Sequence, residues 1–471
     1  MLIHRRRSLL LHDEAKLNEI VEKIKKINEK FDDKKKDVKN KENKTKTNFI
    51  KNNKKSKFQI KIEPEVKKKQ ENDAFARTML GKIQGLRLDV LGRKINAFLG
   101  IPYAQPPVES LRFLRPLPVT SWNETFEATE FGSACIQHIN KNFTSGQKFS
   151  EDCLNLNVWT PAKIKGELPV MFYIHGKYRL VFITKIFLNF FKPFIFLGGN
   201  FVSGSNSADE SDGRALAALQ NVIVVSPNYR LGPLGFFSVD EKLPSFSEPL
   251  QKKNKTVKLI EESDISLEET ENLQNKLQKK DGNYGLWDLV EALKWTRANI
   301  ASFGGSPESI TLVGQSSGAL AAALLSFSPE SSHLSNRVIL QSGSPTVFNF
   351  YYQQSQKSSE EFATLLGCMK ATEQITKNNF KTTFDCVKTK SEEEILITTN
   401  KQLSQKLYAY SPRIGDELLP FLPQEMLEKF HDSLHKKQFL IGTNSNDVPF
   451  FFKIGYPYLF TKKTPTLKVC S

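Results

Sequence analysis

The segment SITLVGQSSGALAAALLSF, residues 309–327, most narrows what this chain can fold into. A β-branched apolar run stops at Gly314-Gln315-Ser316-Ser317-Gly318, and an Ala-rich run follows at once. That is strand, tight turn, helix. A serine raised on a strained strand-to-helix turn needs glycine on both sides, where side chains would collide with the neighbouring strand and helix. The helix then points its N-terminus at any oxyanion that forms there. PVMFYIHG (169–176) and NVIVVSPNYRLG (221–232) read as buried strands, and NRVILQSGSP and QFLIGTNSND as further ones. NYGLWDLVEALKWTRANIASFGG (283–305) reads as an amphipathic helix with Leu286, Leu289, Val290, Leu293 and Ile300 on one face and Gly304 as its stop. The alternation predicts an α/β fold, with a central, mostly parallel sheet flanked by helices on both faces.

Charge separates a second region from this one. Residues 1–70 hold 23 Lys/Arg against 11 Asp/Glu, so most of the net +16 sits there. Residues 1–75 are read as a basic low-complexity arm, too polar to offset its own ordering entropy. Leu17, Ile20, Ile24, Ile27 and Phe31 recur at helical spacing and allow one short amphipathic helix. A solvated tail and an RNA- or membrane-binding arm both remain open. No aromatic interleaving supports base stacking, and no nucleic-acid partner is expected. Residues 240–280, charged and Gly-poor, read as a surface insertion.

The compartment signals conflict. MLIHRRRSLLLHDEAK opens with a basic stretch, but SLLL is too short for a signal h-region. Cys135 and Cys153, and likewise Cys368 and Cys386, form two sequence-local pairs in polar segments, while Cys470 stands apart. None has zinc-site spacing, so no metal is expected. Local disulfides in a secreted or luminal protein fit better. Sequons at Asn43, Asn123, Asn142 and Asn254 agree with a glycoprotein. A misassigned N-terminus reconciles these signs. HDSLH (431–435) mimics a zinc-protease motif, with no third ligand nearby, and is read as surface histidines.

Ordered blocks make the chain recognisable: FLGIPYAQPPVESLRF (98–113), EDCLNLNVWTP (151–161), NYRLGPLGFFS (228–238), residues 282–319, and PRIGDELLPFLPQEML (412–427). Over residues 79–455 it resembles the type-B carboxylesterase/cholinesterase family of α/β-hydrolases; residues 456–471 stay unassigned. The resemblance implies an α/β-hydrolase fold and a catalytic Ser, acid and His in that chain order. Ser316 matches the nucleophile. GTNSNDV puts Asp447 at the acid's place, though from its loop alone Asp447 could equally cap a helix. Cys135–Cys153 and Cys368–Cys386 match the family's loop disulfides, and Arg112 with Glu151 and Arg230 with Asp288 its ion pairs. Gln315 stands where the family usually has Glu, and Phe143 falls where cholinesterases carry a choline-binding Trp. Both departures argue against cationic choline esters.

The family's oxyanion turn, His-Gly-Gly-Gly-Phe or a close variant, is split here. His175-Gly176 and Gly198-Gly199 flank KYRLVFITKIFLNFFKPFIFL, residues 177–197. Read Gly176 and Gly198 as one residue, and YIHGGNFVSGS restores the turn, with backbone donors at Gly199, Asn200 and Ser317. A transmembrane span there would carry Lys185 and Lys192, and a surface insertion would not be so apolar. Gly176-Lys177-Tyr178 can be encoded GGTAAGTAT, a splice donor, and Phe194 through Gly198 as a pyrimidine tract and acceptor. A retained intron is therefore expected, with a real insertion as the alternative.

The reading is a serine carboxylic-ester hydrolase acting on small-molecule or lipid esters without a cofactor. The rival is a non-catalytic adhesion or signalling protein of the same fold, like neuroligins, with a cell-surface protein partner. No histidine follows Asp447, and none of His4, His12, His138, His175, His333, His431 or His435 falls where the base belongs. The chain as given is thus expected not to turn over esters, its C-terminal part, with the His, missing.

Overall fold

β10 (Gly305–Gln315) is an interior strand of a sheet that has ten strands among the described residues, and Ser316 follows it directly. The computed structural model describes residues 73–137, 147–176, 200–238, 282–345, 354–375, 379–404, 409–430, 434 and 436–444. The chain divides into Met1–Lys69 and Gln70–Ser471, and the described residues belong to the second unit. The basic arm up to residue 72, both insertions, Gly199, Asp447, Phe143, residues 456–471 and most of HDSLH lie outside the described residues.

In chain order the elements are β1 (Asp73–Thr78), β2 (Gly81–Val90), β3 (Arg93–Pro102), β4 (Phe126–Glu127), β5 (Ala134–Cys135), β6 (Phe149–Ser150), β7 (Asn155–Pro161), β8 (Leu168–Ile174), α1 (Arg214–Gln220), β9 (Ile223–Pro227), α2 (Gly232–Phe236), α3 (Tyr284–Asn299), β10, α4 (Ser317–Phe327), β11 (Arg337–Gln341), α5 (Gln354–Leu365), α6 (Phe380–Lys388), α7 (Glu392–Leu403), α8 (Pro423–Lys429) and β12 (Gln438–Gly442). The main sheet has the order β1-β2-β3-β7-β9-β8-β10-β11-β12, with β4 beside β2. Along that order the neighbours from β9 through β12 are parallel and those from β1 to β9 antiparallel, while the short β4 pairs with β2 in parallel. The parallel half carries the site.

Both faces are covered, as an α/β sheet requires. Val170, Phe172 and Ile174 of β8 join Ile310 and Leu312 of β10 in the main core under α3 and α4. On the opposite face α1 closes a smaller cluster of Ile95, Ala97, Leu99, Trp159 and Val224. The antiparallel strands have no counterpart among the strand patterns read above. β1 shows why: its core face is Ala74, Ala76 and Thr78, while Phe75 points out, 52% exposed, under the Lys82 ammonium. Small residues inside invert the expected pattern.

α3 also departs from expectation. It is buried nearly all round rather than along one apolar face, because it lies between the sheet and the helices α2 and α4. Ile300 falls past its end, in a tighter turn (Ile300–Phe303) that Gly304 closes at φ 85°. Asp288 is wholly buried and accepts from Arg230 Nε at 2.8 Å, Nη2 at 2.7 Å and backbone N–H at 3.0 Å. Breaking such a pair leaves an uncompensated buried charge. Arg112 pairs with Glu151, its Nε 2.7 Å from Oε2. The disulfides are Cys135–Cys153 and Cys368–Cys386, with Cα separations of 4.9 and 5.6 Å.

Candidate active site

Ser316 sits at the joint of β10 and α4 with φ 56° and ψ −122°. For a residue with a Cβ that conformation costs about 1–3 kcal/mol and persists only where the surroundings over-determine it. Here they do. The Ser316 amide donates to the Gln341 carbonyl of β11 at 2.9 Å, and the Ser316 carbonyl accepts from Leu320 at 3.0 Å. Glycines crowd the joint on every side. A Cβ on Gly314 would meet the Gly318 carbonyl, one on Gly318 the Ile174 carbonyl, and one on Gly343 the Ser316 carbonyl at 2.5 Å. Ser316 is half-buried, while all of α4 is buried. α4 begins at Ser317, whose amide is one of the helix's unpaired first-turn donors.

β8 delivers the second wall. A Cβ on Gly176 would meet the Gln315 carbonyl and, at 2.9 Å, the Ser317 hydroxyl, so the end of β8 touches the elbow itself. The His175 ring stacks on Tyr229 with centroids 4.5 Å apart, and the Tyr229 hydroxyl donates to the His175 carbonyl at 2.8 Å. Burial pushes the Tyr229 phenol well above its ordinary value, so it stays a donor at any physiological pH. His175 thus braces the strand end, its ring stacked on Tyr229. The other histidine among the described residues, His333, lies in the short turn Ser332–Leu334, its carbonyl accepting from Arg297.

The chain re-enters at Asn200, buried, with φ 48°, and Phe201 follows at φ 60°. Asn tolerates the left-handed region better than other residues with a Cβ, so Asn200 can hold this turn. The Phe201 carbonyl accepts from Gly232 at 2.7 Å. Further on, Asn206 donates to Asn155 and, through its amide, to Asn228 at 2.8 Å, while Asn157 donates to the Asn206 carbonyl at 3.0 Å. Four buried asparagines thus fasten the loop to β7 and β9. Of the expected site residues, Ser316 and Ser317 stand together at the elbow, and Asn200 opens the buried turn. Tyr229, Gly343, Gln137 and the asparagines escaped the sequence reading because their partners are distant in the chain. Among the described residues no group of three or more His, Cys, Asp or Glu could hold a metal ion.

A model of the carboxylesterase family matches residues 72–184, 194–245 and 273–467. The chain is 31% identical to a cholinesterase of Mus musculus, covering 82% of this chain and 56% of that protein. An acetylcholinesterase of Danio rerio is 31% identical, with 82% and 53% covered. Liver carboxylesterase 1 of Oryctolagus cuniculus is 30% identical, with 81% and 60% covered. The chain therefore spans little more than half the length of these relatives. With the family model matching most of its residues around the Ser316 elbow, the chain belongs to the carboxylesterase family.

Proposed function

We propose that the protein hydrolyses carboxylic esters by nucleophilic catalysis at Ser316. The observation that carries this is the strained, glycine-walled elbow, which holds a half-exposed serine against the first turn of α4 and the end of β8. Ser316 attacks the ester carbonyl, and the oxyanion takes hydrogen bonds from the amides of Ser317 and Asn200, with Gly199 as third donor. The alcohol leaves, and water then hydrolyses the acyl-enzyme. Asp447 orients the base. We assign that base to none of the described residues: His175 is buried at the end of β8, where the oxyanion turn belongs, and His333 lies in the 332–334 turn. Gln315, uncharged and half-buried beside Ser316, favours neutral over cationic esters. The two disulfides favour a secreted or luminal protein.

The test is labelling by a fluorophosphonate probe, with Ser316→Ala as control. In the longest natural form of the protein, labelling should be rapid and lost in the variant. Residues 1–471 by themselves should label and hydrolyse p-nitrophenyl esters about 10⁴-fold or more slowly, the deficit of a missing triad member. Failure of the long form to label would favour the adhesion protein over the enzyme.

A further inference from the structure

The turn that opens at Asn200 is tied to a side chain from a distant part of the sequence, Gln137. Its amide makes a two-way bridge to one residue: Nε2 donates to the Gly204 carbonyl at 2.8 Å, and Oε1 accepts from the Gly204 amide at 2.8 Å. The second hydrogen of Nε2 goes to the Cys135 carbonyl at 2.9 Å, two residues from Gln137 and within the Cys135–Cys153 disulfide. Every polar atom of the side chain is used. Gly204 is itself constrained, at φ 135°, with its Cα against the His175 ring, so neither face of the bridge has room to drift. The bridge is part-buried, and Gln137 lines one cavity with Ile136, Val202, Leu231, Leu234 and Ile395. Hydrogen bonds shielded in part from water gain strength, and unmade ones cost more.

The asparagine network holds the loop from Asn206 onward, and the Gly232 amide holds Phe201, both at the backbone. Between these anchors Gln137 sets the path of 200–204. We propose that Gln137 is a positioning residue for the oxyanion-binding turn: it touches no substrate, and fixes the Asn200 amide relative to Ser316 through Gly204. This rests on the esterase reading above. A shift of about 1 Å in a catalytic donor costs on the order of 10²-fold in rate.

Two measurements on residues 1–471 and on the longest natural form test it. Hydrogen exchange should rise about tenfold or more at amides 200–204 in Gln137→Ala, with α4 and β10 unchanged. In Gln137→Glu the carboxylate faces two carbonyls and cannot donate. Exchange should rise similarly at neutral pH and recover as the pH falls and the protonated carboxyl again donates. Fluorophosphonate labelling of the long form should slow about 10–100-fold in Gln137→Ala at unchanged probe affinity. Unaltered exchange at 200–204, or a rise spread evenly over α4 and β10, overturns the clamp. Raised exchange with unaltered labelling rate overturns its catalytic use. No labelling in any variant sinks the esterase reading instead, and the exchange result still decides the clamp.

Discussion

Ser316 is where function and stability pull apart at the scale of a residue. Its φ of 56° is stored strain that only glycine escapes. Ser316→Gly should therefore be more stable than Ser316→Ala by about 1 kcal/mol, the relieved strain outweighing the extra entropy of an unfolded glycine. Urea midpoints at equal slope measure this. A glycine variant less stable than the alanine one would mean that the elbow is unstrained. Gly314 is explained within one turn of chain, by its clash with the Gly318 carbonyl, whereas Gly318 is required by the distant Ile174 carbonyl of β8. Gly343 likewise meets Ser316 only once β11 has paired with β10.

At the scale of elements, the end of β8 and the turn from Asn200 meet where the Gly204 backbone lies against the His175 ring. Gly176 packs on the elbow without room for a Cβ, and Asn200 starts buried and left-handed. The family match stops at residue 184 and resumes at 194, within the segment that separates them. Transcripts should therefore exist that join His175-Gly directly to Gly199-Asn200, and full-length transcript sequencing will find them. If every mature transcript encodes residues 177–197, the segment is a genuine insertion and the retained-intron idea is wrong. α3 shows how an element can be legible in kind and not in setting. Its helical spacing was plain and the resemblance already paired Asp288 with Arg230, 58 positions away, but local pattern did not give the complete burial of that pair.

For the whole molecule, the two disulfides imply an oxidising compartment. Among the described residues no helix is long and apolar enough to cross a membrane. Asn123 heads the sequon Asn-Glu-Thr in an exposed bend, just after Trp122, whose amide is tied to the Leu80 carbonyl at 2.8 Å. An exposed, locally anchored bend suits an acceptor asparagine. Protein from its native source should carry a glycan there, seen as a mass loss on peptide-N-glycosidase treatment and absent in Asn123→Gln. Unmodified Asn123 together with free thiols at Cys135 and Cys153 would place the protein in a reducing compartment.

The sequence alone determined the strand–turn–helix at 309–327, the serine at its turn, Gly314 before it and the strands of the parallel half. These follow from side-chain periodicity and from steric limits acting within a few residues. The tertiary structure alone decided the antiparallel half, where β1 turns alanines inward and Phe75 outward. It also decided the burial of α3 and the clamp from Gln137 to Gly204, 67 positions apart. The physical reason is the same in each case. A buried polar group or an inward alanine is satisfied by whichever distant element packs against it, and local pattern carries no record of that partner.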